Sequence, residues 1–211
     1  MEALDLKKME ECFIKEIDDN PRGHQIVKGK NPIILTAPHS VSHLREEKEK
    51  IGEFRTGVIV QLIGELSGCH RAYKTKNLGD DANYDRDCNF KSDLLEYIKE
   101  NDIKLVLDFH LSSPNRAFSI DIGTGRRSLI QGREDLLSCI KGGFEAVYQN
   151  VEVDDTFPGS YPHTVSATAS RELGIPAFQI EINWSKVDDY EKTKIFVNTM
   201  AKMINKLEEL L

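Results

Sequence analysis

Apolar and polar positions follow two periods along this chain. "NPIILTAPHS" holds a short apolar run from Ile33 to Ala37, entered after Pro32 and stopped by Pro38, which has the length and borders of a buried strand. "IKLVLDFH" and "GIPAFQIEIN" repeat that signature, and "HRAYKT" and "AFSIDIG" read as shorter strands. Between them, apolar residues recur at helical spacing. "TGVIVQLIGELSG" sets Val58, Leu62, Ile63 and Leu66 on one stripe, with Thr56 as a cap and Gly68 as a stop. "KSDLLEYIKEND" does the same with Leu94, Leu95 and Ile98 after Ser92. "REDLLSCIKGGFEAVYQN" reads as a helix although Gly142 and Gly143 each cost on the order of 1 kcal/mol there. A further helix runs from about Thr164 to Gly174, and the terminal helix turns Ile195, Met200, Met203, Ile204 and Leu207 toward the body. "HLREEKEKIGEFRTG" and "NLGDDANYDRDCNFK" are polar, turn-rich loops, and the "LREEKEK" charges read as a solvated face.

Strands and helices thus alternate, and the runs around Leu105 and Ile180 are apolar enough for buried central strands. The expected fold is a three-layer α/β/α arrangement on a central mixed, mainly parallel sheet. No linker, repeat or low-complexity segment divides residues 1–211, so a single domain is expected.

Composition narrows the function. With 39% hydrophobic and 30% charged residues the chain has the make-up of a soluble globular protein, and its net charge of −7 argues against nucleic acid or an anionic membrane as partner. No stretch approaches the roughly 20 apolar residues of a membrane span, and the start lacks a signal-peptide pattern. Cys12, Cys69, Cys88 and Cys139 show no CxxC spacing and read as reduced thiols, so the expected setting is cytoplasmic.

Chemistry concentrates at strand ends. Side chains alternate along a strand, so Asp108 and His110 share a face with Val106, and Gln179, Glu181 and Asn183 share a face of the later strand. A carboxylate such as Glu181 is expensive to bury without a partner or a function. His39 follows a third strand, and ligands in open α/β sheets bind at such C-terminal ends. Histidine and carboxylate form the ligand set of zinc sites that keep one position open. For a third ligand the following loop offers His43, Glu46, Glu47, Glu49 and Glu53, with no choice among them from the residues alone. "GTGRR" lacks the GK[ST] ending of a phosphate loop, and no GxSxG motif supplies a serine nucleophile.

"APHS", "DFH" and "FQIEIN" in this order make the segment from Pro32 to Trp184 resemble the N-formylglutamate amidohydrolase family, related in fold to zinc carboxypeptidases and aspartoacylase-like deacylases. The resemblance implies a phosphorylase/hydrolase-like fold and one Zn2+ per chain. His39, Glu53 and His110 would hold the metal, Asp108 would orient His110, and Glu181 would be the general base. It further implies hydrolysis of an amide in an N-acyl amino acid or similar small carboxylated substrate. Asn83 and Arg86 of "ANYDR" stand where the family has its substrate-binding turn. Arg116 is a further candidate for the substrate carboxylate, and Tyr161 and His163 of "GSYPHT" are candidates to close over the substrate. Two other readings are open: a zinc carboxypeptidase acting on a peptide or peptidoglycan fragment, and a non-catalytic protein that binds a small anion. Assembly into a homo-oligomer is left open as well.

Overall fold

The structure is a computed structural model that describes residues 3–211. The chain begins with α1 (Ala3–Ile14) and continues through β1 (His24–Val27), β2 (Ile33–Ala37), β3 (His43–Arg45), β4 (Lys48–Lys50), α2 (Phe54–Ser67) and β5 (His70–Lys74). Then follow α3 (Asn89–Glu100), β6 (Leu105–Ser112), β7 (Ile120–Gly123), α4 (Glu134–Glu145), β8 (Val151–Val153) and α5 (Val165–Leu173). β9 (Ala177–Asn183), a 3₁₀ turn (Trp184–Lys186) and α6 (Tyr190–Leu210) complete the chain.

Seven strands form one sheet in the order β1-β5-β2-β6-β9-β7-β8, and β3 and β4 pair separately as a hairpin. The β5/β2, β2/β6, β6/β9 and β7/β8 pairs are parallel, whereas β1/β5 and β9/β7 are antiparallel, so the sheet is mixed and mainly parallel. β6 and β9 lie at its centre because their apolar residues must be covered on both faces.

The two faces differ. On one, Ile33, Leu35, Leu107, Phe109, Ile180 and Ile182 pack against buried residues of α1, α2, α4 and α6. On the other, Ile34, Val106 and Ala177 meet α3 and α5 through Phe90, Leu94, Ile98, Val165 and Ala169. This second apolar cluster stops at Val106 and Ala177. Beyond them the same face continues as Asp108 and His110 on β6, and as Gln179 and Glu181 on β9. Among the described residues no helix is long and apolar enough to cross a membrane.

Local signals set most helix ends. Thr164 caps α5 by accepting from the Ala167 amide at 3.0 Å, and Gly174 ends that helix with φ +66°. Gly143 allows α4 to approach α6, since a Cβ there would lie 2.6 Å from Met203 Cε. Five expectations shift. α2 starts at Phe54 with Glu53 as its cap position, and the Thr56 hydroxyl turns back onto the Glu53 carbonyl. α3 starts three residues before Ser92, because burial of Phe90 extends it N-terminally. Ile195 is 47% exposed, one position off the buried 193–196–200–203–207 stripe of α6. Leu66, in the last turn of α2, is exposed too. Part of the charged loop after His39 is the β3–β4 hairpin.

Candidate active site

His39 lies two residues beyond β2, in a turn tied down by its neighbour Ser40. The Ser40 hydroxyl donates to the Ala37 carbonyl at 2.9 Å and to the Lys74 carbonyl at 2.6 Å. The chain then returns along the same path, and the Glu53 amide donates to the His39 carbonyl at 2.7 Å. Only glycine fits before it, because a Cβ on Gly52 would lie 2.4 Å from the Val41 carbonyl carbon. His39 and Glu53 are therefore brought together by backbone contacts, although 14 positions separate them.

Both imidazoles present Nδ1 to the Glu53 carboxylate. His39 Nδ1 is 3.2 Å from Oε1, and His110 Nδ1 is 3.3 Å from Oε2. The Leu111 amide on β6 donates to Oε2 at 2.9 Å and fixes the carboxylate against the sheet. Each ring's other nitrogen meets its own fully buried aspartate. His39 Nε2 lies 2.8 Å from Asp81, and His110 Nε2 lies 3.3 Å from Asp108. Asp108 is held from β2 by the Thr36 hydroxyl at 2.5 Å, and Asp81 by Arg45 Nε at 2.6 Å. In a neutral ring, such a carboxylate behind Nε2 favours the tautomer with its proton there, and Nδ1 is then the nitrogen able to ligate.

Glu181 faces this group because β6 and β9 pair in the register His110↔Glu181. Gln179 Nε2 donates to Glu181 Oε1 at 2.7 Å, which leaves the buried Gln179 Oε1 without a partner. Burial pushes Glu181 up to about 7, and Glu53 adds to this while His110 opposes it. Burial would also raise Glu53, but His110 and His39 overcome it and hold that carboxyl well below the usual range. The histidines show the counterpart. Burial works against their charge, yet Glu53 and Asp81 raise His39, and Asp108 and Glu53 raise His110 well above an ordinary imidazole. Three carboxylates around two imidazoles make this a place that favours a cation.

His39, Glu53 and His110 bring one ligand atom each within 4.8 Å of one another. The donor set fits a zinc-type divalent cation: two imidazole nitrogens and one carboxylate, with both rings oriented from behind. His39, His43 and Asp81 form a second such trio. There, the Arg45 guanidinium already neutralises Asp81 and opposes a second cation. His43 stacks on His39 with centroids 3.9 Å apart, and burial, with His39, pushes it down to about 4.

The site opens into a cavity of about 430 Å³ whose lining includes Asn83, Tyr84, Tyr161, Thr164 and Arg45. Asn83 Nδ2 lies 3.4 Å from His110 Nε2, and its Oδ1 accepts the Val165 amide at 2.8 Å. Tyr84 and Tyr161 stack at 5.1 Å, and the Arg45 guanidinium lies over Tyr84 at 5.1 Å. The 156–161 wall is positioned by Asp121, buried on β7 opposite Glu181, which accepts the amides of Asp155, Thr156 and Phe157 at 3.2, 2.9 and 2.8 Å.

Of the substrate-binding candidates, Asn83 and Tyr161 line this cavity, and Arg86, Arg116 and His163 do not. The Arg86 side chain is 82% exposed, and Arg86 and His163 both line a different cavity. Arg116 lies over the Phe157 ring at 5.2 Å, outside the lining. Arg55, an arginine of the same polar segment as Glu53, is a structural tie that joins Glu10, Val187 and Thr193. Asp81, Arg45 and Asp121 carry no sequence signal that marks them, and Gln179 is marked only by the face it shares with Glu181. Asp81 and Arg45 lie in polar segments that show no periodicity, although Arg45 ends β3 in the structure.

No family model matches the sequence, and no curated protein matches it. Solved structures do share its fold. A gene product of Agrobacterium tumefaciens is 12% identical with a TM-score of 0.66, over 96% of this chain and 100% of that one. The N-formylglutamate amidohydrolase of Ralstonia eutropha is 11% identical with a TM-score of 0.67, over 90% and 98%. A metallo-carboxypeptidase of Burkholderia cenocepacia is 9% identical with a TM-score of 0.58, over 97% and 70%. The fold expected from the sequence motifs is thus the fold observed.

Proposed function

We propose that residues 1–211 act as one unit, a metal-dependent hydrolase that cleaves an amide bond in a small carboxylated substrate such as an N-acyl amino acid. The observation that carries this reading is the meeting of two imidazole Nδ1 atoms and one carboxylate, each ring braced by a buried aspartate, with Glu181 on the adjacent strand. The names of the fold neighbours, an amidohydrolase and a metallo-carboxypeptidase, support a hydrolase.

His39, Glu53 and His110 would hold a zinc ion, one per chain. When bound there, such an ion supplies Lewis acidity that makes a water a stronger acid and a carbonyl a better electrophile. Glu181, poised near neutrality by burial, takes the proton of the attacking water and returns it to the departing amine. Gln179 keeps one Glu181 oxygen in place, so the other serves the reaction. Arg45 takes the role expected of Arg86 or Arg116. Its Nε is engaged by Asp81, and its planar fork leaves the outer nitrogens for a substrate carboxylate.

The test is metal analysis together with hydrolysis of a panel of N-acyl amino acids. The purified protein is expected to carry about one zinc per chain. Glu181→Gln should keep the metal and lose about a hundredfold or more in turnover. A folded wild-type protein that binds no zinc when it is supplied would overturn the reading and favour a non-catalytic anion binder.

A further inference from the structure

A second cavity, of about 810 Å³, lies between α3 and α5 and is nearly twice the size of the catalytic one. It contains Arg86, which the family resemblance places among the substrate-binding residues. Lys91, Lys99 and Arg171 join it, against two acids, Asp87 and Glu172, so the groove is net positive on a chain of net charge −7. Lys91 is buried and spends its ammonium on the carbonyls of Asp85 and His163, which fixes its charge beneath the groove. α3 adds to the positive field, because its first turn contains no acid and its cap position is Cys88. The lining also includes Thr168, 8% exposed, whose buried hydroxyl has no hydrogen-bond partner.

The groove adjoins the catalytic cavity. Asn83 and Tyr84 line the catalytic cavity, and Arg86 and Cys88 of the same loop line the groove. Tyr161 and Thr164 line the first, and His163 and Thr168 line the second, with the Tyr161 and His163 rings edge to face at 5.5 Å. Ser92, Leu95 and Lys99 lie along one stripe of α3. That stripe spans about 10 Å at 1.5 Å per helical residue, which accommodates about three residues of extended chain at ~3.3 Å each. A single phosphate would use a small part of such a groove, whereas a chain bearing repeated carboxylates matches its length and its spaced cations.

We infer that the α3–α5 groove is a subsite for an acidic oligopeptide-like chain continuing from the amide held at the catalytic centre. The inference rests on the hydrolase reading above and specifies its substrate class as a polyamide with several carboxylates. Lys99 has no ion-pair partner among the described residues and Arg86 meets Asp87 only at 3.9 Å, so these two supply most of the charge complementarity; Arg171 pairs with Glu172 at 3.0 Å and donates to the Pro162 carbonyl at 2.7 Å, which leaves it a smaller share. The stacked Tyr84 and Tyr161 lie where the chain passes between the cavities.

The experiment is fluorescence anisotropy with fluorescein-labelled tetraglutamate and tetraglutamine on the full chain carrying Glu181→Gln, which prevents turnover. Tetraglutamate should bind about tenfold or more tightly than tetraglutamine at ~0.05 M salt, and most of the preference should be lost near 1 M salt, where the Debye length falls to about 3 Å. Adding Lys99→Gln and Arg171→Gln should remove most of the preference while the protein still unfolds in a cooperative thermal melt, lowered by no more than the loss of the Arg171 contacts with Pro162 and Glu172. Adding Arg45→Met instead should retain at least part of it, which separates the groove from the catalytic clamp. Equal affinity for the two peptides, or a preference that survives the Lys99 and Arg171 changes, overturns the inference. Because the anisotropy reads binding rather than turnover, and zinc content is measured separately, a failed catalytic reading would appear on its own, as absent zinc and absent hydrolysis with the preference intact.

Discussion

The two histidines of the site meet one carboxylate through the same ring nitrogen, yet they are held in opposite ways. His110 and its aspartate sit two residues apart on the central strand, and the pleat alone puts them on one face. Asp108 is tethered across the sheet by Thr36, its register partner on β2. His39 follows a strand, and its aspartate lies 42 positions later in a turn. That turn needs several ties of its own: Asp81 accepts from Arg45 and from the Asn83 amide, and its own amide donates to Asp85. A strand-borne arm draws its precision from the sheet. A loop-borne arm must assemble that precision from hydrogen bonds, each worth about 1 kcal/mol net and somewhat more when charged.

The strongest challenge to this comparison removes the proposed metal ligands themselves. His39→Ala and His110→Ala should each bring zinc content from about one per chain to near zero, read by elemental analysis. A variant that retained full zinc would remove that histidine from the site. Next in size, Asp81→Asn and Asp108→Asn should each weaken zinc binding by about 10- to 100-fold in a competition titration with a chelator. The two should then differ in dynamics. Asp81→Asn also releases Arg45, so amide exchange should speed up in the β3–β4 hairpin, whereas Asp108→Asn should leave that hairpin protected.

Arg45→Met should raise KM for a carboxylated amide by about tenfold or more, with a smaller change in kcat. An unchanged KM would return the clamp to another residue. The smallest effect concerns a histidine–aspartate pair away from the site. His24 Nε2 lies 3.1 Å from Asp93, and its pKa is lowered because burial outweighs that carboxylate. The unfolded chain therefore binds the proton first. The stability linked to neutral His24 is fully present above about 6.5 and is lost as pH falls through the lower folded value. His39 and His110 have raised values and, in the metal-free protein, contribute with the opposite sign, most strongly on the acid side. Urea unfolding of the metal-free protein between pH 5 and 7.5 should show His24→Gln losing part of the acid-side decline in stability, by about 1 kcal/mol at most.

The pattern of what was legible follows from range. Asp108 with His110, and Gln179 with Glu181, could be read as pairs because alternation along a strand is a local property. The capping of α5 by Thr164 was readable for the same reason, since the donor lies three residues away. Ser92 and Thr56 carried the same kind of signal and lost, because burying Phe90 and positioning Glu53 moved the helix starts. Arg86 and Arg116 looked suited to a substrate because they sit in polar loops near strand ends. Loop direction is set by packing, and it took Arg86 into the second groove and Arg116 onto the outside of the Phe157 wall. Arg45 looked like one charge in a solvated run, until pairing of β3 with β4 and the ion pair to Asp81 turned it into the cavity.

By itself the sequence determined the layered alternation of strands and helices, the apolar centre of the sheet and the polar strand ends that carry His110 and Glu181. All of these depend on side-chain period, which the chain expresses within a few residues. Only the tertiary structure decided that β9 lies beside β6 in the register His110↔Glu181, that Asp81 braces His39, and that Arg45 faces the cavity while Arg86 does not. These are contacts between residues tens of positions apart, and they exist because packing against the rest of the fold offsets the entropy of bringing those segments together.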